Sequence, residues 1–164
     1  MRFVYNEFYT DMSATSGIDF RSKIIQMNTH SINLQIWDTS VAERFQYDPT
    51  RYLQNSLGVI LVYDCTDLNS FQKIPYRVEN IRMHTTDSIP IVLAGNKSDL
   101  SDKVVSTEEG EALAREFGLS FFETSCIENV NVDEIFYFVA KDIEDKGLLS
   151  PWSCLLYTSD AADE

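Results

Sequence analysis

The polar run Asn96-Lys97-Ser98-Asp99 directly follows an apolar segment that spans residues 91–94. An apolar segment of this kind is typical of a buried parallel strand, and ligands of open α/β sheets bind beyond the carboxyl ends of such strands. The Asp99 carboxylate could accept hydrogen bonds from both the N1–H and the N2 amino group of guanine, whereas adenine lacks this pair of donors. Taken alone, a polar run of this kind is more often a plain surface turn, and a guanine site is the functional alternative.

The strands that would position this run are predicted from the pattern of apolar residues. Apolar and polar residues alternate over residues 32–36, which indicates a strand with one buried face. A similar segment covers residues 18–27, and the polar stretch 28–30 between the two predicts an antiparallel hairpin. Continuous apolar runs, typical of strands inside a parallel sheet, cover residues 59–63, 89–94 and 121–122.

Helices are predicted between and after these strands, over residues 70–84, 106–118 and 131–147. Ser106 and Glu109 form a capping box at the start of the second helix, and Asn131 and Glu134 give the third a similar start. Pro75 requires a late start or a kink in the first helix. Strands that alternate with helices of this length predict a doubly wound, mostly parallel α/β sheet with one antiparallel hairpin edge.

The composition fits a single globular domain that binds neither nucleic acid nor an anionic membrane surface. With 164 residues, of which 44% are hydrophobic, the chain can bury a core of ordinary size. The net charge of -13 argues against binding to duplex nucleic acid or to anionic lipid. Cys65, Cys126 and Cys154 form no metal-binding set, and no segment predicts a signal peptide or a membrane span. We therefore expect a cytoplasmic monomer.

Four segments together resemble the nucleotide site of Ras-like small GTPases in their order and spacing. They are Ala14-Thr15-Ser16-Gly17-Ile18-Asp19-Phe20, Trp37-Asp38-Thr39, Asn96-Lys97-Ser98-Asp99 and Glu123-Thr124-Ser125-Cys126. Within that superfamily, Gly17-Ile18-Asp19-Phe20 and Glu43-Arg44-Phe45 resemble segments that separate Rab proteins from Ras, Rho and Arf relatives. The resemblance implies a Ras-like fold and a molecular switch of vesicle traffic that binds GTP, GDP and Mg²⁺.

The resemblance also implies roles for individual residues, and it implies partners. The guanine-binding positions would be Phe8, Asn96, Lys97, Asp99, Ser125 and Cys126, and the magnesium positions would be Thr15 and Asp38. The aromatic triad that effectors of Rab proteins contact corresponds to Phe20, Trp37 and Tyr52. The implied partners are guanine nucleotide, Rab-type effectors, exchange factors and GTPase-activating proteins, at the cytoplasmic face of endomembranes.

One departure from the family pattern concerns the phosphate loop. The sequence contains no G-x-x-x-x-G-K-[ST], the loop whose backbone N–H groups and lysine hold the nucleotide's phosphates. Residues 1–147 are therefore expected to form an incomplete GTPase domain that lacks its first strand and this loop, and the neighbouring strands should be left with unpaired backbone groups. Residues 148–164 lack a prenylation motif, so no direct membrane anchor is expected, and we expect an unstructured, non-native tail.

The other departure lies in Asp38-Thr39-Ser40-Val41-Ala42, where the family has Asp-Thr-Ala-Gly-Gln. Val41 replaces the glycine that reaches the γ-phosphate, and Ala42 replaces the glutamine that orients the attacking water. No intact catalytic residue is expected, and unaided GTP hydrolysis should be slow. The alternative is a pseudo-GTPase that presents the aromatic triad to effectors without a nucleotide cycle. A phosphate loop encoded upstream of residue 1 would argue against that alternative.

Overall fold

Six strands form one sheet in the order β1-β2-β6-β3-β4-β5, with β1 antiparallel to β2 and the other pairs parallel. The computed structural model describes residues 2–8, 18–40, 50–86, 88–149 and 155–160, with the backbone alone described for 40, 50, 51 and 155–160. The strands are β1 (Ile18–Gln26), β2 (Ser31–Ser40), β3 (Gly58–Asp64), β4 (Ile91–Asn96), β5 (Ser120–Glu123) and β6 (Leu155–Asp160). The helices are α1 (Arg2–Tyr5), α2 (Thr50–Leu53), α3 (Leu68–Gln72), α4 (Ile74–His84), α5 (Thr107–Glu116) and α6 (Val132–Asp145).

The predicted hairpin is confirmed as β1 and β2, whose turn is closed by the Met27 N–H donating to the His30 carbonyl at 2.8 Å. Strand β2 extends further than the alternating pattern indicated, so that Asp38 lies within the strand and pairs with Asp19 of β1. Strand β4 also differs, because it begins at Ile91 and includes Asn96. The predicted polar run therefore starts inside the strand.

Strand β6 corrects two expectations about the sheet. Six residues of the segment expected to be unstructured pair in parallel with β2, and the last five of them also pair in parallel with β3. The expectation is therefore wrong for Leu155–Asp160, while residues 150–154 and 161–164 lie outside the described residues. Since β6 supplies backbone partners to both neighbours, the expected gap of unpaired N–H and C=O groups between β2 and β3 is absent from the described sheet.

Helices cover both faces of the sheet, as the doubly wound prediction requires. On one face, Ile60 packs with residues of α6 and with Phe3, whose ring stacks on Phe136 with a centroid separation of 3.9 Å. On the other face, Val59 and Leu61 pack with residues of α4 and α5. The alternation of these β3 side chains between two covered faces explains why the strand is apolar until its last residue, Asp64. No helix within the described ranges has the length and apolar character needed to cross a bilayer.

The helix starts follow the sequence in two cases and depart from it in the third. The capping box of Ser106 and Glu109 is present at α5. The helix predicted over residues 70–84 is divided into α3 and α4, and Pro75 lies in the first turn of α4, so that of the predicted late start or kink the late start is found. Asn131 is the N-cap of α6, where the sequence predicts the helix start, but the capping box expected there is absent. Its backbone is left-handed with φ of 55°, and its side chain makes no capping bond. The Asn131 Nδ2 instead donates to the Glu123 carbonyl at 2.7 Å, which ties the start of α6 to the end of β5.

Candidate functional site

The candidate site lies where the parallel strands β4 and β5 end side by side. The Thr124 N–H donates to the Gly95 carbonyl at 2.8 Å, and the Ser98 N–H donates to the Thr124 carbonyl at 3.0 Å. These bonds continue the strand pairing into the two loops that follow. The two predicted guanine-contacting segments are therefore joined through their backbones at one edge of the sheet.

Asp99 is oriented by a side chain from the second loop. The fully buried Ser125 donates from Oγ to the Asp99 Oδ1 at 2.6 Å, and its Oγ accepts from the Glu128 N–H at 3.0 Å. Paired backbone bonds between Ser125 and Val130, each 3.0 Å long, close this second loop. Because an ionised carboxylate has four acceptor positions on two oxygens, one bond from Ser125 fixes the group and leaves capacity for two donors of a ligand.

Asn96 links the two loops through its side chain. Its Oδ1 accepts from the Thr124 Oγ1 at 3.2 Å and lies 3.7 Å from the Cys126 Sγ, which donates to it. The backbone just before Asn96 comes very close to β3, because a Cβ added at Gly95 would lie 2.7 Å from the Tyr63 hydroxyl oxygen. Glycine at this position therefore lets the strand reach the site without displacing the buried Tyr63 ring.

Lys97 adopts the left-handed conformation with φ of 63°, and its half-exposed side chain reaches back to β3. Its Nζ lies 2.5 Å from the Oδ2 of Asp64, the last residue of β3. Burial alone would raise the pKa of this carboxyl. Hydrogen bonds from Lys97 and Thr66 outweigh burial, however, so the pKa of Asp64 is held below its ordinary value. The Asp64 carboxyl is thus ionised at neutral pH.

The residues assigned to magnesium are only partly described. Asp38 is half-buried and lines an apolar cavity of about 150 Å³ that also reaches Asn96 and Cys126. Thr15 lies outside the described residues, as do Val41 and Ala42. Within the described part of the chain, no group of three acidic, histidine or cysteine side chains could hold a metal ion. Asp38 is a suitable ligand for Mg²⁺, which commonly takes one or two carboxylates and completes its shell with water and ligand phosphates.

The three aromatic residues assigned to effectors form one contiguous cluster. The ring centroids of Phe20 and Trp37 are 4.8 Å apart, and those of Trp37 and Tyr52 are 5.1 Å apart. Trp37 and Tyr52 also pack against the core, whereas Phe20 is 44% exposed. The cluster therefore presents an aromatic edge that is continuous with the core. Phe8, assigned to the guanine ring, is 41% exposed.

Sequence reasoning missed Asp64 and the bridging role of Thr124. Asp64 is a carboxylate that ends an otherwise apolar strand, and such a residue is rarely buried without a partner. That signal could have marked it as part of the site. Its partner Lys97 could not be identified from the sequence, because the parallel register of β3 and β4 brings the two together.

Comparison with known proteins gives a consistent family assignment. The profile of the Ras family matches residues 1–145 of the chain. The chain is 43% identical over 148 residues to the Ras-related protein RAB1BV of Beta vulgaris, a match that covers 89% of the chain and 69% of that protein. It is 41% identical over 146 residues to the Ras-related protein SEC4 of Saccharomyces cerevisiae, covering 89% of the chain and 68% of that protein. Against the Ras-related protein Rab-8B of Dictyostelium discoideum, identity is 42% over 152 residues, covering 92% of the chain and 75% of that protein.

Proposed function

The chain belongs to the Ras family of small GTPases, within which it is of the Rab type, and from this premise we propose that it recognises guanine through Asp99 as a nucleotide switch of membrane traffic. The observation that carries the proposal is the Asp99 carboxylate, held by the buried Ser125 at the joined ends of β4 and β5. Guanine is the base whose adjacent donors match this acceptor.

The geometry supports selectivity against other purines. A hydrogen bond to a charged acceptor contributes about 1.5–3 kcal/mol, so each guanine donor lost should weaken binding by roughly ten- to a hundredfold. Inosine monophosphate lacks the N2 amino group, and adenosine monophosphate lacks both donors. We therefore expect guanosine monophosphate (GMP) to bind most tightly, inosine monophosphate next and adenosine monophosphate least.

The experiment is a titration of the 164-residue chain with each of these three monophosphates. Binding is monitored through the amide chemical shifts of residues 95–100 and 123–127. Monophosphates are chosen because the sequence contains no phosphate loop motif, so the base should dominate affinity. Asp102→Asn is the matched control, since Asp102 is an exposed acid in the turn beyond Asp99. It should leave the order unchanged. Equal affinity for guanine and adenine nucleotides would overturn the proposal.

Binding of the phosphates and of Mg²⁺ would depend on fewer residues of this chain than recognition of the base. Mg²⁺ bound with the nucleotide would neutralise charge on the phosphates, and we propose that Asp38 would hold it, directly or through water. The chain's net charge of -13 disfavours an additional anion near the sheet edge. We propose that base recognition is the stronger contribution and that triphosphate cleavage is slow, because Ala42 cannot orient a water molecule.

We also propose that the cluster of Phe20, Trp37 and Tyr52 is the surface for Rab-type effectors and regulators. Ring contacts between neighbours support this assignment, because a partner can bury the exposed Phe20 edge against side chains that are already ordered. Aromatic side chains of this kind commonly dominate the binding energy of an interface.

A further inference from the structure

Asp64 lies beside the run Asn96-Lys97-Ser98-Asp99, which we name the guanine loop, although it belongs to another strand. It ends β3 and is in register with Asn96, the last residue of β4. Beyond the strands, the Cys65 N–H donates to the Asn96 carbonyl at 2.9 Å, so the two chains stay paired as they enter their loops. The position of Asp64 relative to the guanine loop is therefore fixed by the sheet.

The carboxylate of Asp64 is itself rigidly held. Its Oδ1 accepts from the Thr66 N–H at 2.8 Å and from the Thr66 Oγ1 at 2.7 Å. The backbone N–H of Asp64 donates to the Ser70 Oγ at 3.0 Å, and the side chain is only 7% exposed. A buried carboxylate with these bonds has little freedom to rotate, so its second oxygen points in one direction.

That second oxygen contacts Lys97, the lysine of the guanine loop. The Lys97 side chain is 49% exposed, and its Nζ lies 2.5 Å from the Asp64 Oδ2. A lysine side chain on the surface normally samples many rotamers along its four-carbon stem. A charge-assisted bond to a fixed carboxylate removes much of that freedom before any ligand arrives. The half-exposed stem is thus presented in one orientation beside Asp99.

We propose that Asp64 is a positioning residue of the guanine site, which acts by holding the Lys97 stem where it can pack against the base. This inference rests on the proposed function. Asp64 does not contact the base in this account. It lowers the cost of ordering Lys97 on binding, an effect that corresponds to roughly a two- to tenfold change in affinity for one long side chain.

The test is a cycle of four proteins: the parent chain, Asp64→Asn, Lys97→Met, and the variant with both substitutions. An asparagine amide keeps the volume and can still accept from Thr66, but it loses the charge that holds Lys97. Asp64→Asn should weaken GMP binding roughly two- to tenfold in the parent. In the Lys97→Met background the same substitution should change binding less than about twofold, because no ammonium remains to be positioned.

A second readout separates positioning from a general structural role. In the parent with GMP, nuclear Overhauser contacts should join the Lys97 methylene protons to H8 or the ribose protons of the nucleotide. Asp64→Asn should weaken these contacts while the folded fraction, followed by circular dichroism, remains complete at the same temperature. Unaltered contacts, or an equal loss of affinity with and without Lys97, would show that Asp64 acts only on the fold.

The outcomes distinguish this inference from the proposed function. If the parent prefers guanine to adenine nucleotides but the cycle shows no coupling, only the role of Asp64 is overturned. If the parent shows no such preference, both the guanine site and the role of Asp64 are overturned. Coupling in affinity together with weakened contacts supports both.

Discussion

Three carboxylates near the carboxyl edge of the sheet lie in different surroundings. Asp99 accepts a hydrogen bond from a buried hydroxyl, Asp64 is buried against a lysine, and Asp38 is half-buried beside an apolar cavity. By our proposals, the same chemical group would serve base recognition at Asp99, side-chain positioning at Asp64 and metal binding at Asp38. At this scale, the neighbours of each carboxylate decide what it can do. A carboxylate near a cation stays ionised, and a carboxylate that accepts a hydrogen bond keeps one orientation.

Val41 and Ala42 carry the residue-scale prediction about hydrolysis. Both residue types are known from the sequence, and both positions lie outside the described residues. At saturating GTP and Mg²⁺, single-turnover cleavage should be slower in the parent than in a variant with Val41→Gly and Ala42→Gln. A glutamine can hold the attacking water by hydrogen bonds, whereas an alanine methyl can neither donate nor accept.

The comparison has to be made at saturation so that weak binding is not measured as slow chemistry. Asp102→Asn, which changes an exposed acid far along the chain from Val41 and Ala42, is the matched control, and its rate of GTP cleavage should equal that of the parent. Identical cleavage rates for the parent and the doubly substituted variant would show that this segment does not limit hydrolysis.

At the scale of elements, the sequence predicts the strands and helices whose pattern is local. The alternation of residues 32–36 and the capping box at Ser106 each depend on neighbours in the sequence, and both are confirmed. The two errors have non-local causes. Asn131 uses its side chain to bind the Glu123 carbonyl rather than to cap a helix. Strand β6 forms because β2 and β3 provide pairing partners far away in the sequence.

Strand β6 gives the prediction that belongs to this scale. Thr158 pairs with Asp38 on one side and with Ile60 on the other, so Thr158→Pro removes an N–H from a strand that has neighbours on both sides. The loss of a backbone hydrogen bond within the sheet and the strain of the ring should lower the free energy of unfolding by on the order of 2 kcal/mol. Urea denaturation followed by circular dichroism measures this change.

Asp163→Pro is the control, because it introduces the same residue beyond the end of β6. Its free energy of unfolding should match that of the parent. Should Thr158→Pro unfold at the same urea concentration as the parent, β6 would contribute nothing to the sheet.

At the scale of the whole molecule, the fold brings the residues of the candidate site together at one edge of the sheet. Asn96, Asp99 and Ser125 come together there because β4 and β5 run parallel and end side by side. The sequence predicts this convergence, since a polar run after a buried strand has to lie at the carboxyl edge. It could not predict the contacts among the side chains. Those of Asp64 with Lys97 and of Thr124 with Asn96 depend on strand register.

The most direct test of guanine recognition exchanges the acceptor pattern at position 99. In the parent, GMP should bind more tightly than xanthosine monophosphate, which carries an oxygen where guanine has its N2 amino group. Asp99→Asn should reverse this order, because the asparagine amide can accept from N1–H and donate to that oxygen. The change in the ratio of the two dissociation constants should be about tenfold or more. The same ratio in the parent, in Asp99→Asn and in the Asp102→Asn control would contradict the account.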